Sequence, residues 1–314
     1  MAKVSTTVVA KKKSFARRML DDWQLILLAL PGFIFYVIFR YGPMYGITIA
    51  FKDYGIFLGI FGSPWEDPWY YNFQVFFSSG DFWPLLRNTF TLGTLSLFIG
   101  FPVPIIFALF LNEIKSIKFK KLTQTITYMP SLLSLVVCCS MAIDMLSPSS
   151  GIINKLIVAL GGESIYFMIK PEWFRTIYLC INIWHGFGSG AVVYIAALGG
   201  VDPQLYEAAE IDGCSRLGKI WHVSIPSILP TVVTMFIMRA GNIIKIGYEQ
   251  VLLLYNAATY EVADIFGTFV YRKGILETDY SYSTAVSLFE SIIALFFVIC
   301  SNTLSKKVNE TSLW

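Results

Sequence analysis

Charge is scarce in this chain, and its scarcity sets the environment. Asp, Glu, Lys and Arg supply 14% of the 314 residues against 55% hydrophobic, with a mean hydropathy of +0.61. A soluble domain of this size needs a polar shell, which such a composition does not provide. Histidine is rarer still. His185 and His222 stand alone, with no second ligand at metal spacing, and the five cysteines form no Cys-x-x-Cys pair; neither a metal site nor a disulfide framework is expected. No Gly-x-x-x-x-Gly-Lys-Ser/Thr cradle occurs, which excludes ATP hydrolysis by that route. No nucleophile stands beside a companion base and no carboxylate pair carries a glycosidase signature, so no catalytic residue is assigned. The lysines and arginines gather at the edges of apolar runs rather than on a folded domain, which argues against a nucleic-acid surface. No internal repeat or low-complexity linker divides the chain.

What is present is a set of apolar runs. Crossing about 30 Å of hydrocarbon takes about 20 residues, and runs of that order fall at roughly 24–42, 85–111, 124–145, 176–198, 229–250 and 285–304. An all-α, polytopic membrane protein with six transmembrane helices follows. The basic residues set its orientation: Lys3, Lys11, Lys12, Lys13, Arg17 and Arg18 before the first run, Lys115, Lys118, Lys120 and Lys121 after the second, Lys306 and Lys307 after the last. All three groups belong on the cytoplasmic side. The expected layout is a cytoplasmic N-terminal tail over 1–22, a transmembrane domain over 23–305 and a cytoplasmic C-terminal tail over 306–314, in the plasma membrane. The first run is kept as a true span rather than a signal peptide, because it is long, Arg40 follows it and no convincing small-residue cleavage site is present. Cys138, Cys139, Cys180 and Cys300 lie in the runs and Cys214 in a cytoplasmic loop.

That loop, 200–230, is the most informative segment. Asp202 can cap a helix that Pro203 opens, running from about Gln204 to Asp212, with Glu207 and Glu210 near the positive end of its dipole. Gly213 can take a left-handed conformation and end it, so that a second short helix begins near Ser215. Ala208 and Ala209 keep an exposed ridge thin, and Leu205 and Ile211 offer apolar anchors for a partner groove. Taken alone, the segment also reads as an ordinary amphipathic interfacial loop.

Three further features remain open. The segment Tyr41 to Trp83 holds Trp65, Trp69, Tyr70, Tyr71, Phe73, Phe76 and Phe77; it reads as an aromatic belt on the outer leaflet or as a docking surface. Two more external connections are expected at about 146–175 and 251–284. In the fifth run Arg239 falls near mid-membrane, with Asn242 and Lys245 at successive steps of three and Glu249 one turn beyond, one polar stripe on a single helix. Ionisable groups inside a span face a cavity or a partner. The stripe therefore lines a substrate route, or pairs with Asp144 or Glu290 to lock helices together. Its two cations would favour an anionic ligand. In the fourth run Asn182, Trp184, His185 and Ser189 lie among Gly186, Gly188 and Gly190, which suits close helix packing or a wall on which Trp184 stacks against a sugar ring.

The Glu207-Ala208-Ala209, Asp212-Gly213 and Ile225–Pro230 pattern resembles the EAA loop of ATP-binding-cassette importer permeases. Leu30-Pro31-Gly32, Phe39–Gly46, Ala50–Tyr54 and Gly247–Asn256 are similar to the LplB-like branch of carbohydrate-importer permeases, relatives of the maltose, glycerol-phosphate and alginate permeases. The resemblance implies the type I importer permease fold, alternating access and an ATPase-coupling role for Glu207, Ala208, Ala209, Asp212 and Gly213. It implies a substrate pathway lined by the fifth helix near Gly247-Tyr248; with the fourth run as the opposite wall, the candidate pathway residues are Asn182, Trp184, Ser189, Arg239, Asn242, Lys245 and Tyr248. Implied partners are a second homologous permease, two ATPase subunits, an extracellular solute-binding lipoprotein, membrane lipid and an oligosaccharide or polysaccharide fragment. ATP and Mg would be bound by the partner ATPase, and this chain would carry no cofactor. The other class of reading is a polytopic enzyme or sensor of cell-envelope glycans, with Asp144, Glu249 or Glu290 as acid–base groups.

Overall fold

The computed structural model describes residues 23–309, apart from the side chains of 305 and 307–309. The basic cluster expected in the N-terminal tail and the end of the C-terminal tail lie outside the described residues, as does the side chain of Lys307. Among the described residues the chain is helical, with one isolated antiparallel bridge between Lys52 and Trp65. Five helices among the described residues are long and apolar enough to cross a membrane: Trp23–Phe51, Phe82–Asn112, Pro171–Gly199, Arg216–Gly241 and Tyr280–Leu304. A bent pair of helices is the sixth candidate.

Proline shapes these rods. The first comprises α1 (Trp23–Tyr36), a π turn over Val37–Tyr41 and a 3-10 stretch over Tyr45–Phe51. The second is α2 (Phe82–Leu95), a π turn over Ser96–Gly100 and α3 (Pro102–Asn112). Each π turn is followed within two residues by a proline, Pro43 or Pro102. Proline has no N–H to give the carbonyl four residues back, so the ladder slips by one and the helix continues. The first rod reaches Phe51, beyond the run 24–42, so the external connection begins later than Tyr41.

The third crossing departs most from expectation. The run 124–145 is two helices, α4 (Ile117–Leu132) and α5 (Leu135–Leu146), bent by 98°. Pro130 sits in the last turn of α4, and Ser134 caps α5 by accepting from the Val137 N–H at 3.4 Å. A cap inside an apolar stretch gives the chain a second helix start where hydropathy showed one continuous span.

The rest of the fold includes α6 (Pro171–Gly199), α7 (Pro203–Ile211), α8 (Arg216–Lys219), a further π turn over Ile220–Ser224 ahead of Pro226, α9 (Ile225–Gly241), α10 (Tyr248–Leu254) and α11 (Tyr280–Asn309), with shorter helices between them. With lipid outside as apolar as the interior, such helices associate through packing and hydrogen bonds rather than burial from water. One packed centre joins α3, α6 and α9 around Phe101, Ala191, Tyr194 and Ile228. Another stacks Phe76, Leu85, Phe266, Phe269, Tyr282 and Val286. Phe76 there contacts the rings of Phe82, Phe266, Tyr282 and Phe289, each such pair contributing about 0.5–1.5 kcal/mol. The stretch 251–284 is therefore folded into the core rather than looped over the surface, because Ile265, Phe266 and Phe269 are fully buried. By contrast, α1 buries none of its residues within the chain.

Candidate functional site

Two regions gather the residues singled out in the sequence. The first is the α7–α8 elbow. Asp202 Oδ1 accepts from the Gln204 N–H at 2.9 Å, and Pro203 takes the first helical position. At the other end Gly213 has φ +74°, the Gly213 N–H donates to the Glu210 carbonyl at 3.1 Å and the Cys214 N–H to the Ala209 carbonyl at 2.9 Å. This is a Schellman closure, which needs a left-handed residue where Gly213 stands. Ser215 then caps α8 through the Gly218 N–H at 3.1 Å. Glu207, Ala208, Asp212 and Gly213 are exposed and Ala209 is half-buried. Leu205 and Ile211 are exposed, the latter by 87%.

One expectation about this element fails. No acidic residue lies in the first turn of α7, and Glu210 stands near its C-terminal, negative end. Its compensation is Lys219, whose ammonium lies 2.5 Å from the Glu210 carboxylate and holds that carboxyl below its ordinary range by a hydrogen bond and by charge. The ion pair folds α8 back on α7, while the Tyr206 hydroxyl meets Ser224 Oγ at 3.0 Å. A cleft of about 320 Å³ beneath the elbow is lined by Asn112, Leu198, Val201, Tyr206, Glu207 and Glu210.

The second region lies between α2, α6 and the end of α9. The predicted helix 229–250 stops at Gly241. Asn242 turns out of helical geometry, with its side-chain amide donating to the Met238 carbonyl at 2.9 Å, and residues 242–247 run without regular helix before α10. The proposed continuous stripe Arg239–Asn242–Lys245–Glu249 is thus not a helical face. The break nonetheless brings Arg239, Asn242 and Lys245 together with Asn182 around a polar cavity of about 220 Å³, completed by Ser96 and Tyr178. Gly93 makes room for it: a Cβ there would stand 2.2 Å from the Ile243 carbonyl oxygen.

Not every candidate joins this cavity. Tyr248 lines a neighbouring space of about 450 Å³ with Tyr271, Tyr280, Ser283, Ser287 and Glu290. Trp184 and Ser189 line neither space; Ser189 Oγ donates to the Gly186 carbonyl at 3.2 Å. Gly188 packs directly under the Thr127 carbonyl, so this part of α6 is a close helix contact. His185 Nε2 lies 3.3 Å from the Leu133 carbonyl at the α4–α5 bend. Among the described residues neither Arg239 nor Lys245 has a carboxylate within 4.0 Å, so the expected pairing with Asp144 or Glu290 is not formed. All five cysteines are free thiols.

Three supporting residues escaped sequence reading. Gln250 is buried, donates to the Tyr178 carbonyl at 2.8 Å and accepts from the Asn182 side chain at 3.4 Å. Ser96 reaches the cavity from the π turn before Pro102. Tyr178 lies one helical turn from Asn182 on α6. The only signal available was a polar residue inside an apolar run.

With this geometry established, similarity to known proteins is informative. A family model described as binding-protein-dependent transport system inner membrane component matches residues 5–310. The polygalacturonan/rhamnogalacturonan transport system permease protein YteP of Bacillus subtilis (strain 168) is 43% identical over 304 residues, 97% of this chain and 94% of that protein. Protein LplB of the same organism is 41% identical over 294 residues, 94% and 92% of the two chains. A crystal structure of a bacterial alginate ABC transporter in complex with alginate pentasaccharide-bound periplasmic protein contains a chain matching with a TM-score of 0.87 at 36% identity, covering 96% of this chain and 100% of that one.

Proposed function

The chain belongs to the binding-protein-dependent transport system inner membrane components, and from that premise we propose that it is the permease subunit of an ATP-driven importer of oligosaccharides or polysaccharide fragments. The observation that carries the proposal is the α7–α8 elbow: a capped, nine-residue helix with Glu207 exposed, tied to α8 by the Glu210–Lys219 pair and to the π turn at the root of α9 by the Tyr206–Ser224 contact. Glu207, Ala208, Ala209, Asp212 and Gly213 dock a separate ATPase, which binds ATP and Mg, and the elbow passes its motion to α9 and hence to the cavity. An element with two positions, biased by nucleotide at one end and by solute at the other, is what coupling requires.

The elbow and both termini lie on the cytoplasmic side, as the positions of Lys115, Lys118, Lys120 and Lys121 beside it support. The cavity is only half enclosed, since Arg239, Asn242 and Lys245 are exposed within this chain. A cation facing acyl chains is costly, so a second, homologous permease supplies the other wall, and α1 packs outside its own chain. Solute arrives from an extracellular binding lipoprotein and leaves unmodified. Asn182, Arg239, Asn242, Lys245 and, across the next space, Tyr248 line its route; Trp184 and Ser189 are exposed and line neither space. Of the carboxylates considered as acid–base groups, Glu290 alone lines either space.

The test is reconstitution of this chain with a second permease, the ATPase and a binding protein in proteoliposomes. ATP-dependent accumulation of intact oligosaccharide is expected. Accumulation by this chain alone, or recovery of a chemically altered saccharide, overturns the proposal.

A further inference from the structure

Arg87, Arg175 and Arg272 meet in one hydrogen-bonded network through Asn88, Glu261 and Asp264. Arg87 on α2 donates to the Glu261 carbonyl at 3.1 Å, and Asn88 beside it donates to the carbonyls of Glu261 and Asp264. Arg175 on α6 donates to Asn88 Oδ1 at 3.5 Å, leaving its buried Nε without a partner. Arg272 pairs with the Asp264 carboxylate and lies over the rings of Tyr260 and Phe269, with no hydrogen-bond acceptor in reach of its buried Nη1. Glu261 contributes its carbonyl, not its carboxylate. Three guanidinium groups thus share one network with a single carboxylate, Asp264, and two buried donors remain unused. A buried donor left unpaired costs about 1–3 kcal/mol, a penalty that an incoming acceptor relieves.

The network leads into the cavity. Arg175, Tyr178 and Asn182 stand at i, i+3 and i+7 on α6, one face of the helix, spanning about 10 Å at 1.5 Å per residue. Tyr178 and Asn182 line the cavity with Arg239 and Lys245, which have no carboxylate within 4.0 Å among the described residues. Glu290 lines the adjoining space and, among the described residues, forms no ion pair with either cation.

We infer that the solute is anionic: an oligosaccharide bearing carboxylates, of the uronic acid class, drawn in over Arg87, Arg175 and Arg272 and read in the cavity by Arg239 and Lys245. The inference rests on the permease function proposed above. A guanidinium binds a carboxylate in a bidentate fork that a neutral hydroxyl group does not match. Low local dielectric strengthens such a contact, and water in the route screens it only in part.

The experiment uses the complete complex and two probes of equal length, a galacturonate oligosaccharide and its carboxyl-reduced neutral counterpart. The ratio of acidic to neutral uptake is compared between wild type and Arg239→Gln/Lys245→Gln on the same binding protein, whose own preference cancels. A fall of at least tenfold in that ratio is expected, with assembly unchanged. Arg175→Gln, which keeps a donor for Asn88, is expected to raise the half-saturating concentration of the acidic probe alone. An unchanged ratio overturns the inference and leaves the transport function standing, whereas absence of ATP-dependent uptake of both probes removes both. A second readout needs no binding protein: the acidic probe, not the neutral one, should protect Asn242→Cys from a thiol reagent. Equal protection by both, or by neither, overturns the inference. An Arg175→Gln effect that follows the charge of the vesicle lipid rather than of the sugar reassigns the outer arginines to phosphate headgroups and overturns their part in it.

Discussion

The Tyr206 hydroxyl lies 3.0 Å from Ser224 Oγ, joining the middle of α7 to the π turn at the root of α9. Ser224 is buried and Tyr206 partly so, so the bond is shielded from competing water. It links α7 of the elbow, proposed above as the ATPase dock, to the root of the helix that ends at the cavity. Removing it by Tyr206→Phe costs about 0.5–1.5 kcal/mol, too little to unfold the chain. The expected outcome is normal membrane insertion and ATPase association with reduced sugar accumulated per ATP hydrolysed, measured in proteoliposomes. Unchanged stoichiometry would show that this contact transmits nothing.

The elbow itself should be less forgiving. Gly213 has a positive φ that proline cannot adopt, and its N–H donates to Glu210. Gly213→Pro removes both features and redirects α8, so uptake should be abolished while the spans remain inserted. Glu207→Lys keeps the backbone and reverses the exposed charge on α7; it too should abolish uptake, with co-purified ATPase reduced. Wild-type uptake and ATPase association in either variant would remove the coupling role.

The Glu210–Lys219 pair gives the elbow a pH response of defined sign. Lys219 lowers the Glu210 pKa through a hydrogen bond and its charge, so the pair's contribution is fully present above the ordinary glutamate value of about 4.3. It is lost as pH falls through the lower, folded value. A spin label on α8 should keep constant mobility from neutral pH down to about 5 and loosen only in stronger acid. Loosening near neutrality would show that another group holds the elbow.

Gly93 offers a steric test of the cavity. A Cβ there would stand 2.2 Å from the Ile243 carbonyl and 3.0 Å from the Ile243 side chain. Since the obstructing atom is backbone, Gly93→Ala must displace the 242–247 segment, an overpacking change worth about 1–3 kcal/mol. Uptake should fall strongly with modest loss of thermal stability, while Gly186→Ala, which meets nothing within 4 Å, should be silent. Equal behaviour of the two variants would mean that the segment is free to move without consequence.

The contrast between legible and hidden features has a physical basis. The elbow could be read because its determinants are local: Asp202, Pro203, Gly213 and Ser215 act on their own backbone within a few residues, and the structure places each in the role its chemistry implies. The α4–α5 bend was hidden, since hydropathy sums over Ser134 without registering it as a cap. The end of α9 was hidden for a related reason. Nothing in Gly241-Asn242 outweighs the surrounding apolar residues, and the break is set by the close passage of Ile243 over Gly93, a contact between distant positions. Arg239, Asn242 and Lys245 were singled out for a helical stripe that does not exist, yet they share one cavity because the turn at Asn242 keeps them near one another. Asp264, Arg272, Asn88 and Arg175 were passed over altogether. Asn88 meets Arg175 and Asp264 across separations of 87 and 176 residues, and Arg272 meets Asp264 at a separation of eight that is not a neighbouring-turn spacing of one helix.

The cavity walls can be tested directly. Asn242 and Lys245 are exposed, while Ile244 between them is buried to 1%, so three neighbouring residues differ sharply in surroundings. In a background with the accessible Cys180, Cys214 and Cys300 replaced by serine, Asn242→Cys and Lys245→Cys should react with small water-soluble thiol reagents and Ile244→Cys should not. Saturating solute with its binding protein should change the first two rates, and Tyr248→Cys, across the segment in the adjoining space, should respond as well. A structural pairing of the cations predicts the reverse. Positions 242 and 245 would be closed to reagent, and Arg239→Ala would cost about 3–5 kcal/mol as a broken buried pair and fail to assemble. The two outcomes separate cleanly with Arg239→Gln: normal assembly with unchanged uptake of every saccharide tested would end the pathway assignment while leaving the coupling elbow untouched.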